Sequence, residues 1–237
     1  MTLTRVLGLL LILTCGPAAV RAQSPDAPSD DTAIEAQVTT AAQRPPQARE
    51  PVLRAYFLAD SVWMSASQTF DAVVGTSRLS MRGGGGEVLG LWRGLFARVA
   101  FAVGEEEGSR VVVFDDEVIP LGIPLTVQVR PLEIGAGWRF RPFAAGRLTG
   151  YAGGGVLRLG YRERSAFATA DDDVDATFTG GAVFGGLEAS LVSWVIAGVE
   201  VQHRIVPDAL GDGGVSAVYG ETGLGGTAVR LLIGVRR

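Results

Sequence analysis

The sequence predicts an all-β protein: an eight-stranded antiparallel up-and-down transmembrane β-barrel, preceded by a signal peptide and a flexible linker. Three observations carry this. From Val52 onward, apolar residues recur with a period of two. The links between the resulting strands alternate short and long, as tight turns on one side of a membrane and larger loops on the other would require. The composition also suits a crowded interior. Of 237 residues 33 are Gly, and all 21 basic residues are Arg, the cation whose planar fork best matches carboxylates.

The first 22 residues read as a secretory signal peptide. Arg5 supplies a positive start, VLGLLLILT a short apolar run, and Val20-Arg21-Ala22 a cleavage site before Gln23. A lipoprotein reading on Cys15 competes, but Thr14 stands where a smaller residue is usual. Cys15 is the one cysteine and leaves with the signal peptide, so the mature chain can form neither an internal disulfide nor a thiolate metal site. Residues 23–51 are rich in Pro, Ser, Asp, Ala and Gln without an aromatic, and read as a disordered periplasmic linker. Residues 52–237 form the barrel domain. The longest later uncharged runs are about a dozen residues, short of the ~20 a spanning helix needs.

The strands follow in order. Leu53–Ala59 alternates weakly, and Gly84–Leu91 carries Glu87. In Leu95–Val103, Leu95, Val99, Phe101 and Val103 oppose Phe96, Arg98, Ala100 and Ala102. Leu125–Trp138 changes phase at Pro131, with Val127 and Val129 outward before it and Leu132, Ile134, Ala136 and Trp138 outward after it; a bulge at the proline would account for this. In Tyr151–Arg162, Leu157, Leu159 and Tyr161 alternate with Arg158, Gly160 and Arg162. In Thr177–Leu191, Val183, Leu187 and Leu191 oppose Phe184, Gly186 and Glu188. Val195–Ile205 and Ala228–Val235 alternate most cleanly. Short links fall near Trp92–Gly94, Arg139–Arg147 and Val192–Ser193; long ones span about 63–83, 104–124, 163–175 and 206–221. Trp92, Trp138 and Trp194 lie at the short-turn end, as an interfacial aromatic girdle would, and Trp63 at the opposite rim.

A soluble lipocalin-like barrel also alternates. The membrane reading is favoured by the girdle and by a non-apolar face made mostly of Gly, Ala and ionic pairs, where a solvated face would use Lys and Thr freely. The strings YAGGGVLRLGY, FTGGAVFGGLEASL and GVEVQHRIVPDALGDGGVSAVYGETGLGGTAVRLLIGVRR resemble the bacterial outer-membrane β-barrel domain family of small eight-stranded barrels, OmpA- and OmpW-like in layout. The resemblance is architectural and implies location in the bacterial outer membrane, not an activity. Such chains usually end in an aromatic residue, whereas this one ends Val235-Arg236-Arg237.

An eight-stranded barrel is only wide enough inside for side chains. Arg54, Arg98, Arg130, Arg158, Arg162, Arg204 and Arg230 are expected inside with Asp60, Glu87, Glu133, Glu188 and Glu200. Gly83–Gly86 and Gly153–Gly155 lack phosphate-loop spacing and are expected to permit curvature and close packing.

The chemistry is sparse. His203 is the single histidine, near Asp208, Asp212 and Ser216, but no motif accompanies a triad there. Glu105-Glu106-Glu107, Asp115-Asp116-Glu117 and Asp171-Asp172-Asp173 with Asp175 could hold a weak Ca²⁺ or Mg²⁺ near lipid headgroups, but none has a calcium-loop spacing, and simple solvation of loops is the plainer reading. One His excludes a zinc constellation. A net charge of −4 argues against nucleic acid, and the lack of Lys excludes Schiff-base and Walker chemistry. The expectation is a non-enzymatic, monomeric barrel with no catalytic, cofactor-binding or metal residue. Its partners would be outer-membrane lipids, the barrel-assembly machinery and an external ligand at the loops. A narrow channel or carrier for small hydrophobic solutes is the alternative; a lipid-modifying enzyme comes after it.

Overall fold

A computed structural model describes residues 52–140, 142–145, 147–165, 173–211 and 213–236. The signal-peptide and linker readings, over 1–22 and 23–51, lie outside these residues. Strands β1 (Val52–Met64), β2 (Arg78–Trp92), β3 (Leu95–Phe114), β4 (Glu117–Arg139), β5 (Leu148–Ser165), β6 (Val174–Ser190), β7 (Val195–Ile205) and β8 (Gly226–Arg236) pair in chain order. β8 returns to β1 from Arg54↔Arg236 to Met64↔Gly226, and the barrel closes. Closure pairs the backbone groups that an edge strand would leave open, which lipid does not tolerate.

The turns explain the two ends. β2 and β3 join through Arg93 and Gly94, both at positive φ, the backbone of a tight hairpin. A Cβ on Gly94 would also meet the Arg139 carbonyl at 2.7 Å. At the other end β3 and β4 continue well beyond their neighbours and turn through Asp115 and Asp116, at φ 50° and 62°. The expected long loop 104–124 is therefore a regular hairpin. The links β1–β2 and β7–β8 fold into helices α1 (Ser67–Val74) and α2 (Gly214–Tyr219).

The barrel is polar inside and apolar outside. Leu53, Phe57, Phe101, Ile134, Val156, Val183, Leu187, Val201, Leu231 and Ile233 are all exposed on the outer wall. Apolar cover of this extent, on seven of the eight strands, belongs to a lipid-facing surface and not to a solvated one. The lipocalin reading requires the reverse polarity and fails. At the short-turn end Trp92 and Trp138 meet edge to face at 5.8 Å, with Trp194 exposed at the same end.

Two expectations are corrected. β4 runs through Pro131 without a shift: Arg130↔Gly160, Pro131↔Leu159 and Leu132↔Arg158 keep one register. Val127 and Val129 are buried inside, in the same phase as Glu133. In β5, Leu157 and Leu159 point inward, so Arg158 and Arg162 face out, and on β4 Arg130 faces out beside buried Val129 and Pro131. The cause is the apolar plug at the loop end of the barrel, where Val62, Leu79, Met81, Val127, Val129, Leu157, Leu159 and Leu224 form one cluster. There the inside is the greasy side.

Inward glycines seat the large rings. A Cβ at Gly85 would lie 2.6 Å from the Tyr56 hydroxyl, and one at Gly153 would lie 2.6 Å from Phe184 and 2.4 Å from the Ala136 carbonyl. Gly153→Val cannot be accommodated by rotating one side chain and should cost about 1–3 kcal/mol of overpacking. Refolding into detergent, followed by gels with and without boiling, should show less of the heat-modifiable folded form than wild type.

Candidate functional site

Two layers of charge cross the interior. The first centres on Arg230 of β8. Its Nε donates to Asp60 Oδ1 at 2.7 Å and its Nη2 to Asp60 Oδ2 at 2.8 Å. The same guanidinium reaches both oxygens of Glu133, at 3.0 and 3.1 Å, and approaches Glu200 at 3.4 Å. Arg204 joins Asp60 at 2.6 Å and Glu133 at 3.0 Å, and Arg98 joins Glu200 at 2.5 Å. These contacts link β1, β3, β4, β7 and β8 across the barrel.

The second layer lies toward the short-turn end. Arg54 donates to Glu188 at 2.6 Å, Arg139 also bonds Glu188, and Arg139 reaches Glu87 at 3.3 Å. Phe96, Tyr151 and Phe184 pack together near these charges, with Arg98 3.3 Å above the Phe184 ring and Arg139 over Tyr151. Fork-shaped donors against paired oxygens, stacked on rings, are the arrangement that makes buried Arg tolerable.

Of the expected interior residues, Arg54, Arg98, Arg204, Arg230, Asp60, Glu87, Glu133, Glu188 and Glu200 are buried as anticipated. Arg139 was not anticipated. It lies at the end of β4 against a turn, where alternation no longer marks a face. With it in place, and Arg130, Arg158 and Arg162 outside, five arginines meet five carboxylates in these two layers.

Above the apolar plug, at the loop end, lies a cavity of about 390 Å³. Phe70, Val73 and Val74 of α1, Leu125 and Val127 of β4, Phe178 of β6, and Leu210 and Leu224 of the β7–β8 link form its apolar walls. Thr69, Arg110, Tyr161, Glu163 and Ser216 add polar groups. The Tyr161 hydroxyl bonds Glu163, and the buried Thr69 hydroxyl makes no hydrogen bond. Glu221 holds the cover in place: its carboxylate accepts from the backbone N–H of Gln68 at 3.1 Å and of Thr69 at 2.9 Å. That interaction satisfies free donors at the start of α1 and ties the β1–β2 link to the β7–β8 link.

The residues singled out around His203 are not brought together. His203 is exposed on the outer wall, where Nδ1 lies 3.1 Å from Thr227 Oγ1. Ser216 donates to the carbonyls of Gly211 and Gly213, and Asp208 is an exposed turn residue; Asp212 lies outside the described residues. Of the acidic runs, Glu105 bonds Gln128 on the outer wall, Asp115 and Asp116 form the hairpin tip, and Asp171 and Asp172 lie outside the described residues. Among the described residues no group of three or more His, Cys, Asp or Glu is placed to hold a metal.

No protein-family model and no curated protein matches the sequence. Among solved structures, the chain is similar to the attachment invasion locus protein Ail of Yersinia pestis. The TM-score is 0.48 at 10% identity, over 79% of this chain and 99% of that one; Ail is also solved with the heparin analogue sucrose octasulfate. It is similar to the N-terminal β-barrel domain of Pseudomonas aeruginosa OprF, with TM-score 0.45 and 12% identity over 78% and 97% of the two chains. It is similar to Neisserial surface protein A, with TM-score 0.36 and 13% identity over 78% and 95%.

Replacing Arg230 by Met strands Asp60, Glu133 and Glu200 around an apolar side chain. The expected cost is about 3–5 kcal/mol, read as a lower urea midpoint for unfolding from lipid vesicles. Arg93→Met, at an exposed turn, should leave the midpoint unchanged.

Proposed function

We propose that the protein is a non-enzymatic, non-conducting barrel of the bacterial outer membrane whose external end binds a small, largely apolar ligand. Its inside-out polarity supports the membrane placement, and the cleavable leader read from residues 1–22 supports export. The observation that carries the binding role is the cavity beneath α1 and α2. It combines apolar walls with a few convergent polar groups, the usual make-up of a small-molecule site. The unpartnered Thr69 hydroxyl gives a ligand one hydrogen bond to complete. The loops thus act as a structured cup, and the strands hold them.

A carrier for hydrophobic solutes would use the same cup but would need an exit. Below it stand the apolar plug and then the Arg230 layer, so the geometry favours capture over passage.

The test is binding of the uncharged fluorophore N-phenyl-1-naphthylamine to the barrel in lipid nanodiscs. Saturable enhancement above the linear partitioning into empty discs is expected. Val73→Trp, which fills the cavity from α1, should weaken it about tenfold. Enhancement equal to that of empty discs would remove the binding role. A second measurement concerns the cover. Glu221→Ala should speed hydrogen exchange in α1 while leaving the amides of β1–β8 protected, since a lost cap costs about 0.5–2 kcal/mol locally.

A further inference from the structure

The outward arginines of β4 and β5 have no role in the interior or in the cup. Read outward along β4 from the short-turn end, the wall is Trp138, Ala136, Ile134 and Leu132, then Arg130, Gln128 and Thr126. Along β5 it is Ala152, Gly154 and Val156, then Arg158, Gly160, Arg162 and Arg164. β5 switches from apolar to basic one outward position before β4, since Ile134 pairs with Val156, Leu132 with Arg158 and Arg130 with Gly160. Beyond that level Gln128 pairs with Arg162 and Thr126 with Arg164.

The patch is one-sided. On the same side β2 adds Arg82, paired with Val103 of β3, and Arg78, stacked on Trp63; on the other side, at the corresponding level, β7 shows His203 and Ile205 outward, β8 Thr227, β1 Ser61 and Trp63, and β6 Thr177 and Thr179. A general interfacial anchor would ring the barrel; this is a local site. The depression there, about 270 Å³, is lined by Glu105, Thr126, Gln128, Arg130, Arg162 and Arg164. Gly160 leaves the strand bare between Arg158 and Arg162.

The charges are only partly answered within the protein. Arg130 bonds the neutral Gln128, and Arg162 bonds Asp175. Arg158 and Arg164 make no ion pair among the described residues. Glu105 is held by Gln128 at 3.0 Å, and Glu107 lies outward on β3 opposite Thr126. Four cations thus face three carboxylates at the top of a lipid-facing wall. An arginine is costly toward the hydrocarbon midplane and cheap at the headgroups, provided it meets an anion or water.

We propose that this face binds the phosphate of an outer-leaflet lipid. The phosphate would sit between Arg130 and Arg158, diagonal neighbours on adjacent strands, with the acyl chains against Leu132, Ile134 and Val156. Two planar forks suit the tetrahedral oxygens of a phosphate, and the apolar wall directly beneath selects a lipid over a free anion. The inference rests on the membrane placement proposed above, with the helix-capped end outward, and is independent of the cup.

The test uses the full mature chain in phosphatidylcholine nanodiscs. These are doped separately with bis-phosphorylated lipid A, dephosphorylated lipid A or phosphatidylglycerol, and retained lipid is read by native mass spectrometry after release. Lipid A is expected to remain bound and its dephosphorylated form to be lost. R130Q/R158Q should reduce retention about tenfold, the scale of losing charge-assisted hydrogen bonds. Retention of phosphatidylglycerol as well would mean that the site reads any lipid phosphate, which also supports it. Equal retention of the two lipid A forms overturns the proposal, and that comparison needs no variant. Undiminished retention by R130Q/R158Q, with its heat-modifiable band intact, overturns it too. Inorganic phosphate that displaces lipid A at equal concentration would overturn the lipid assignment. A wild-type chain that does not enter nanodiscs would instead refute the membrane placement.

Discussion

The guanidinium of Arg230 stands among three carboxylates from three strands: Asp60 on β1, Glu133 on β4 and Glu200 on β7. None of these groups could be buried alone, because an unpaired charge in a low-dielectric interior is costly. Arg204 and Arg98 complete the layer from β7 and β3, so the wall-to-wall contacts exist only when the strands are in this register. A slip of one residue in any of them would turn its charge outward into lipid. The layer therefore fixes register and fills the cross-section at once. Hydrogen bonding between strands closes the barrel, and the ionic layer determines which barrel is closed.

The rest of the molecule can be read outward from that layer. Toward the short turns, glycines open space for Tyr56, Phe96, Tyr151 and Phe184, whose rings separate it from the second ionic group at Arg54, Arg139, Glu87 and Glu188. Toward the loops, the interior becomes apolar and supports the two helices. The exterior changes in the opposite sense. It is apolar beside the ionic layers and basic beside the plug on β4 and β5. Inside and outside thus exchange polarity where the barrel leaves the hydrocarbon.

That exchange explains which features were legible in the sequence. β7 could be read to the residue, and the faces of β3, β6 and β8 within the apolar belt, because their inward positions there are mostly small, aromatic or ionic while their outward positions are mostly Val, Ile, Leu or Phe. β4 and β5 could be located but not oriented along their whole length. At Val156–Leu159 both faces carry large apolar residues, and Arg158 reads as interior only if charge marks the inside of a membrane barrel along its whole length. The rule holds only within the apolar belt. The phase change inferred at Pro131 has the same origin, since Val127 and Val129 are core residues of the plug. Arg139 carried no alternation signal because it borders a turn. The cup was not legible, because α1, α2 and the clasp of Glu221 on Gln68 and Thr69 join segments more than 150 residues apart.

The central claim is that five arginines and five carboxylates fill the interior in ion-paired layers. Single-barrel current in a planar lipid bilayer tests it most directly, using protein whose folded state is verified by its heat-modifiable gel mobility. The account predicts no steady ionic conductance at any applied voltage the bilayer withstands. A stable, ohmic open level from wild-type barrels would contradict it, because ions would then be crossing the layer around Arg230.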